Sequence, residues 1–258
     1  MDLPKEGEGL DRAVAAPSST MRLTITPSVL ERFPATVLGV AVARGIDNTG
    51  DPPGVSEALR RAEALLPTRL EGVLVSEHPS IAVWREAYRR FGAKPKDHPS
   101  SIENLVRRVS KGGTIPHINR VVDIYNAVSL ATLLPAGAED LDAIDGDVEL
   151  TIAGESEPAV RLLGEPEPRP PRAGEVIYRD RAGAICRRWN WKEADRTKLT
   201  EGTRNALVVV EGLPPIGREA VAAAIEEIAR RIREHCGGTV ATAILDREAP
   251  RIGLDEAG

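Results

Sequence analysis

Apolar residues recur along this chain in two regimes, and the change between them falls at Pro135. Before it the spacing is mainly helical. Residues 56–66 align Leu59, Ala62 and Leu66 on one face, and residues 80–91 align Ile81, Trp84, Ala87, Tyr88 and Phe91. Ser100 and Glu103 form an S-x-x-E capping box ahead of Leu105, Val106 and Val109, and Gly112-Gly113 stop that helix. Residues 118–134 give one further helical stretch. A near-continuous β-branched run at 36–43 reads as a buried strand, followed by turn chemistry at 47–54. After Pro135 short strands are expected at 148–152, 159–163, 175–179, 184–189 and 206–210. A regular helix at 218–235 and a last strand at 239–245 close the pattern. Helices first, then a sheet with a helical return, predict an α+β fold: one domain over residues 21–258 with helices packed on a mixed sheet. Residues 1–20 lack periodicity and read as a disordered tail.

Aromatic residues are only 3% of the chain, so the core has to be built from Val, Leu, Ile and Ala. No apolar run approaches the roughly 18–20 residues that span a bilayer, and the acidic N-terminus lacks the pattern of a secretion signal. A cytoplasmic protein without a membrane partner is therefore expected. Cys186 and Cys236 lie far apart with no CxxC pair, so no metal site is expected; Cys186 reads as core and Cys236 as a helix-end residue. Nucleotide-binding glycine loops, a nucleophile elbow and an HExxH pair are all missing, so no cofactor is expected either.

Net charge is −5, yet its distribution is uneven. Between Arg85 and Arg120 nine cations face three carboxylates, and in residues 137–168 Arg161 alone opposes ten. A local basic patch can collect phosphates on an acidic protein, or it can be a solvated helix face. Its candidates for nucleic-acid contact are Arg89, Arg90, Arg107, Arg108, Lys111 and Arg120. Arg188 adds to them from the run 187–192, where Trp189 and Trp191 either stack on bases or alternate into the core. His98 and His117 flank the basic region beside the polar run 114–119, whereas His78 and His235 read as helix-end residues. Asp195 and Thr197 sit in a polar loop leading into a strand, a common place for a site or simply a turn.

One segment is more specific. Residues 115–130, IPHINRVVDIYNAVSL, resemble the I-N-x-V-V-D-x-x-N stretch of the editing domain in the bacterial phenylalanyl-tRNA synthetase beta subunit, the B3/B4 tRNA-binding module. The resemblance extends over about 77–213, with 135–144 following more loosely, and the chain is similar to the free-standing branch of that family. One class of that branch resembles a canavanyl-tRNA deacylase. The resemblance implies a tRNA or aminoacyl-tRNA partner and hydrolysis of a mischarged ester, and it carries over Asn126; with the residues read above, the catalytic candidates are Asn126, Asp123 and His117 and the substrate-binding candidates Asn119, Asp195 and Thr197. Asn119, Asp123 and Asn126 stand at i, i+4 and i+7, one side of a helix, where capping plus one buried hydrogen bond is the plain structural explanation. An activated ester needs a held water, an oxyanion donor and a selective pocket rather than a Ser or Cys nucleophile. The family's Q-P-L-H-A-F-D pattern continues here as residues 134–140, with Gly137 where the histidine falls. The family's pocket glutamate falls near 193–198, and a cationic substrate side chain would find partners in Asp123, Asp195 or Glu193. A non-catalytic tRNA-binding module and a small-molecule sensor are the competing readings.

Overall fold

The computed structural model describes residues 21–255. The expected tail, 1–20, lies outside the described residues. The chain runs β1 (Arg22–Ile25), α1 (Pro27–Arg32), β2 (Val37–Arg44), α2 (Pro53–Leu70), α3 (Pro79–Arg90), α4 (Ser101–Ser110) and α5 (Arg120–Thr132). It continues with β3 (Ala136–Asp140), β4 (Val148–Ile152), β5 (Val176–Asp180), β6 (Gly183–Arg187), β7 (Lys192–Glu193), β8 (Ala206–Gly212), α6 (Arg218–Cys236), β9 (Thr239–Leu245) and β10 (Arg251–Gly253). The α+β class holds, but the strands form two sheets rather than one. A mixed sheet is ordered β10-β1-β4-β5-β6-β7, and an antiparallel sheet is ordered β3-β8-β2-β9.

Several expected elements differ. The strand expected at 159–163 is reduced to isolated bridges at Val160 and Leu162, where prolines and glycines on both sides interrupt the ladder. The helix expected at 56–66 is longer, since Pro53 can occupy a first-turn position with no N–H to lose. The strand expected at 184–189 ends at Arg187, because Arg188 and Trp189 turn into left-handed backbone, φ 48° and 66°. That turn separates the two indoles: Trp189 is fully buried in the core, and Trp191 is half-buried at the surface.

Period-2 alternation in β8 decides where the core divides. Ala206, Val208 and Val210 pack with Val221, Ile225 and Ile228 of α6 and with Val121, Ile124 and Val128 of α5. Leu207, Val209 and Glu211 point the other way, toward the mixed sheet. The register Gly137↔Val209 and Glu139↔Leu207 puts Gly137 and Glu139 on that same inner side. Two sheets thus face one another across a space that α4 and α5 close, and the acidic side chains of β3 and β8 look into it.

Candidate functional site

That space is a cavity of about 270 Å³. Its walls include Asn104 of α4, Tyr125 and Asn126 of α5, Gly137 and Glu139 of β3, Tyr178 of β5, Glu211 of β8 and the turn Trp189–Glu193. Of the residues nominated as catalytic or substrate-binding, only Asn126 reaches it. Its side-chain amide makes no hydrogen bond among the described residues, so both of its functions remain open to a ligand.

The others are fixed elsewhere by local structure. Asn119 is the N-cap of α5: its side chain accepts from Val122 N at 3.1 Å and donates to Leu199 O at 3.3 Å. Asp123, 1% exposed, accepts from Ile118 N at 3.2 Å and holds His117 Nδ1 at 2.7 Å. This bond keeps the His117 pKa above its ordinary value. The same-side row is real, but its first two members are spent on the helix start, and only the third, a turn further along, meets the cavity. Asp195 binds Lys198 and Arg161, each at 2.7 Å, and does not line the cavity. Those cations, Lys198 first, hold its carboxyl below the usual range. Thr197 is fully buried, and its hydroxyl has no hydrogen-bond partner among the described residues. None of Asn119, Asp123, His117, Asp195 and Thr197 lines the cavity that Asn126 reaches. Among the described residues, Asp51, His117 and Asp123 alone bring metal-ligating atoms within 4.8 Å of one another, but His117 and Asp123 already occupy each other.

What the cavity does contain is three carboxylates. Glu211, 3% exposed, accepts from Tyr178 Oη at 2.5 Å and from the Asn190 amide, which in turn accepts from Tyr88 Oη at 2.8 Å. Burial nonetheless pushes Glu211 up to about 7 against those donors. Glu193 receives one long backbone bond, from Ala138 N at 3.4 Å, and burial pushes it to about 7 as well. Glu139 is raised well above its ordinary value, by burial first and then by the neighbouring charge of Glu193. One Glu139 oxygen and the Trp189 Nε1–H are buried without a hydrogen-bond partner. Lys192 is the one cation on the wall, and Glu165 holds it at 2.5 Å. A side chain at position 137 would start 3.0 Å from Glu193 Oε1, so this carboxylate occupies the space beside the glycine.

Sequence reasoning included Glu193 but missed Glu139 and Glu211. The signal for Glu211 was present: it shares a period-2 face with Leu207 and Val209. Glu139 gave none, since A-G-A-E-D has low strand propensity and reads as loop.

The basic candidates disperse over the surface. Arg89 pairs with Glu86, Arg90 lies 4.4 Å over the Phe33 ring, and Arg107 binds the buried Glu103 at 2.7 Å. Arg108 donates to Thr114 O at 3.4 Å, and Lys111 is exposed. Arg120 bridges Asp47 and His235 O, a structural tie at the start of α5. Arg188 alone borders the cavity region, 4.4 Å over the Trp191 ring.

The B3/4 domain family model matches residues 83–237. Among solved structures the chain is similar to an N-terminal fragment of the phenylalanyl-tRNA synthetase beta-subunit from Pyrococcus horikoshii, at 13% identity and a TM-score of 0.45. That match covers 84% of this chain and 49% of the fragment, so the chain spans about half the fragment's length. No curated protein sequence matches.

Proposed function

Since the chain belongs to the B3/4 domain family, we propose that it hydrolyses mischarged aminoacyl-tRNA, releasing free amino acid and tRNA, and that the side chain it selects is cationic. The observation that carries this reading is the presence of three carboxylates in one apolar-walled cavity with no free cation among them. Glu139 and Glu193 repel each other when both are ionised, and an incoming ammonium or guanidinium relieves that repulsion. Canavanine belongs to the required charge class.

The chemistry needs few parts. Water adds to the ester carbonyl carbon while Glu211, poised near neutrality, takes its proton. The Asn126 amide donates to the oxyanion that forms. The carbon–oxygen bond to the ribose then breaks, and the ribose oxygen recovers the proton. Purified protein is expected to release amino acid from a tRNA bearing a cationic non-cognate residue. Asn126→Ala should slow release about 10²–10³-fold, the usual cost of losing one oxyanion donor. Unchanged turnover in that variant would remove Asn126 from the mechanism.

Gly137 favours a second reading, a module that grips aminoacyl-tRNA without cleaving it, because the resembled pattern has a histidine there. It leaves the ester lifetime unaltered. The two readings also part at Gly137→His. An imidazole placed against Glu193 fills the space that a cation would use. We expect at least a tenfold fall in kcat/KM for the cationic ester, measured against an ester with a neutral side chain as the control. An unchanged ratio between the two would remove Glu193 from the specificity site.

A further inference from the structure

Beside the acidic cavity, across Trp191, Asn104 and Lys192, lies a second one of about 520 Å³, adjoined by a third of about 170 Å³. The character reverses there: six cations and four carboxylates line the two. Two of those carboxylates are committed, Glu175 to Arg187 by two 2.9 Å bonds and Glu165 to Lys192. Lys94, Arg169 and Arg172 stand exposed on the rim, and none of their side chains has a carboxylate partner among the described residues.

Arg188 stands where the two cavities meet. Its side chain is only 9% exposed, and none of its guanidinium nitrogens makes a hydrogen bond among the described residues. The nearest carboxylate oxygen, on Glu175, is 4.0 Å away and already serves Arg187. The guanidinium rests on the face of Trp191, and His98 meets the same indole edge-on at 4.6 Å with a buried Nδ1 that also lacks a partner. Beyond that long ion pair its five guanidinium N–H donors make no hydrogen bond among the described residues, and a planar fork that opens on a groove suits phosphate. A left-handed backbone at Arg188, φ 48°, turns the side chain out of the β6 ladder into this groove.

We propose that Arg188, with His98 beside it, is the phosphate anchor of the substrate: it binds the phosphodiester next to the terminal nucleoside while the aminoacyl group enters the acidic cavity. This rests on the aminoacyl-ester reading given above. The groove and the cavity share the Trp191 wall, so opposite charges of one substrate meet opposite charges of the protein a side chain apart. A free amino acid, whose only oxyanion is its own carboxylate, is the rival ligand that the experiment separates.

The test is binding of an uncharged RNA hairpin ending in CCA to the full chain, by fluorescence anisotropy across a salt series. Arg188→Gln is expected to raise Kd about tenfold at low salt and to reduce the slope of log K against log salt by about 0.7, one single-strand phosphate contact. Arg188→Lys, which keeps the charge but loses the fork, should fall between. Equal Kd and slope in Arg188→Gln and wild type overturn the assignment, as does a free amino acid that displaces the hairpin only when Arg188 is present. If Arg188→Gln fails to fold, the exposed Arg172→Glu reads the same groove: a severalfold loss supports the anchor, and no loss overturns it. Hairpin binding that depends on Arg188 without any ester release leaves the anchor standing and removes the hydrolase. Release with binding indifferent to Arg188 does the reverse.

Discussion

Replacing Glu193 by glutamine is expected to weaken capture and turnover of a cationic aminoacyl ester by about two to three orders of magnitude, because breaking a buried charge pair costs about 2–5 kcal/mol. The same change should stabilise the empty protein at alkaline pH. Burial lifts the folded Glu193 carboxyl to about 7, whereas the unfolded chain releases that proton near an ordinary value of about 4.3. The folded state therefore keeps a proton that the unfolded state has lost, and stability declines as pH rises from about 4 to about 7. Below that window the penalty vanishes, and above it the penalty is constant. Urea unfolding should show Glu193→Gln equal to wild type at pH 4 and roughly 1–3 kcal/mol more stable at pH 8. Cation binding inherits the same proton: affinity should climb with pH and level off above about 7. A variant less stable at pH 8, with the cationic ester still turned over normally, would show that Glu193 is neither strained nor used.

Trp189→Ala should be the most damaging single change to the fold, at about 3–5 kcal/mol. The indole is fully buried, edge-on to Phe33 at 4.9 Å and to Trp84 at 5.2 Å. In a chain with so few aromatics these three rings pack together inside one core cluster. Alanine also keeps the left-handed backbone, φ 66°, while removing the packing that holds it there. A fall in Tm on the order of 10 °C follows for a domain of this size. Trp189→Phe should recover part of that loss but not the Nε1–H beside Glu211, so stability and turnover should separate in it. A melting temperature within a degree or two of wild type for Trp189→Ala would contradict this packing.

The sequence reveals the helices better than the site. Residues 115–130 announce α5 and its polar row because capping and 3.6-residue spacing are local properties. The cavity is non-local: Glu139 faces it only because β3 pairs with β8 in one register, and a slip of one residue would send Glu139 outward. Glu193 belongs to the inner wall through the short β7 ladder with β6, which no periodicity marks. The basic run from Arg85 to Arg120 shows the opposite failure. Its charge density is plain in the sequence, but Arg107 and Arg120 are consumed by Glu103 and by Asp47 with His235 O. Arg188 lies outside that run, and its exposure to the groove depends on a left-handed turn that side-chain pattern alone does not disclose.

The pocket's charge is the centre of this account, and one side-by-side assay reads it. The same tRNA, charged in one sample with canavanine or another cationic residue and in the other with tyrosine, is incubated with the protein, and release of amino acid is followed. The carboxylates of Glu139 and Glu193 predict rapid loss of the cationic residue and survival of the tyrosyl ester. Release of tyrosine in preference to the cation, or release of neither, would contradict it.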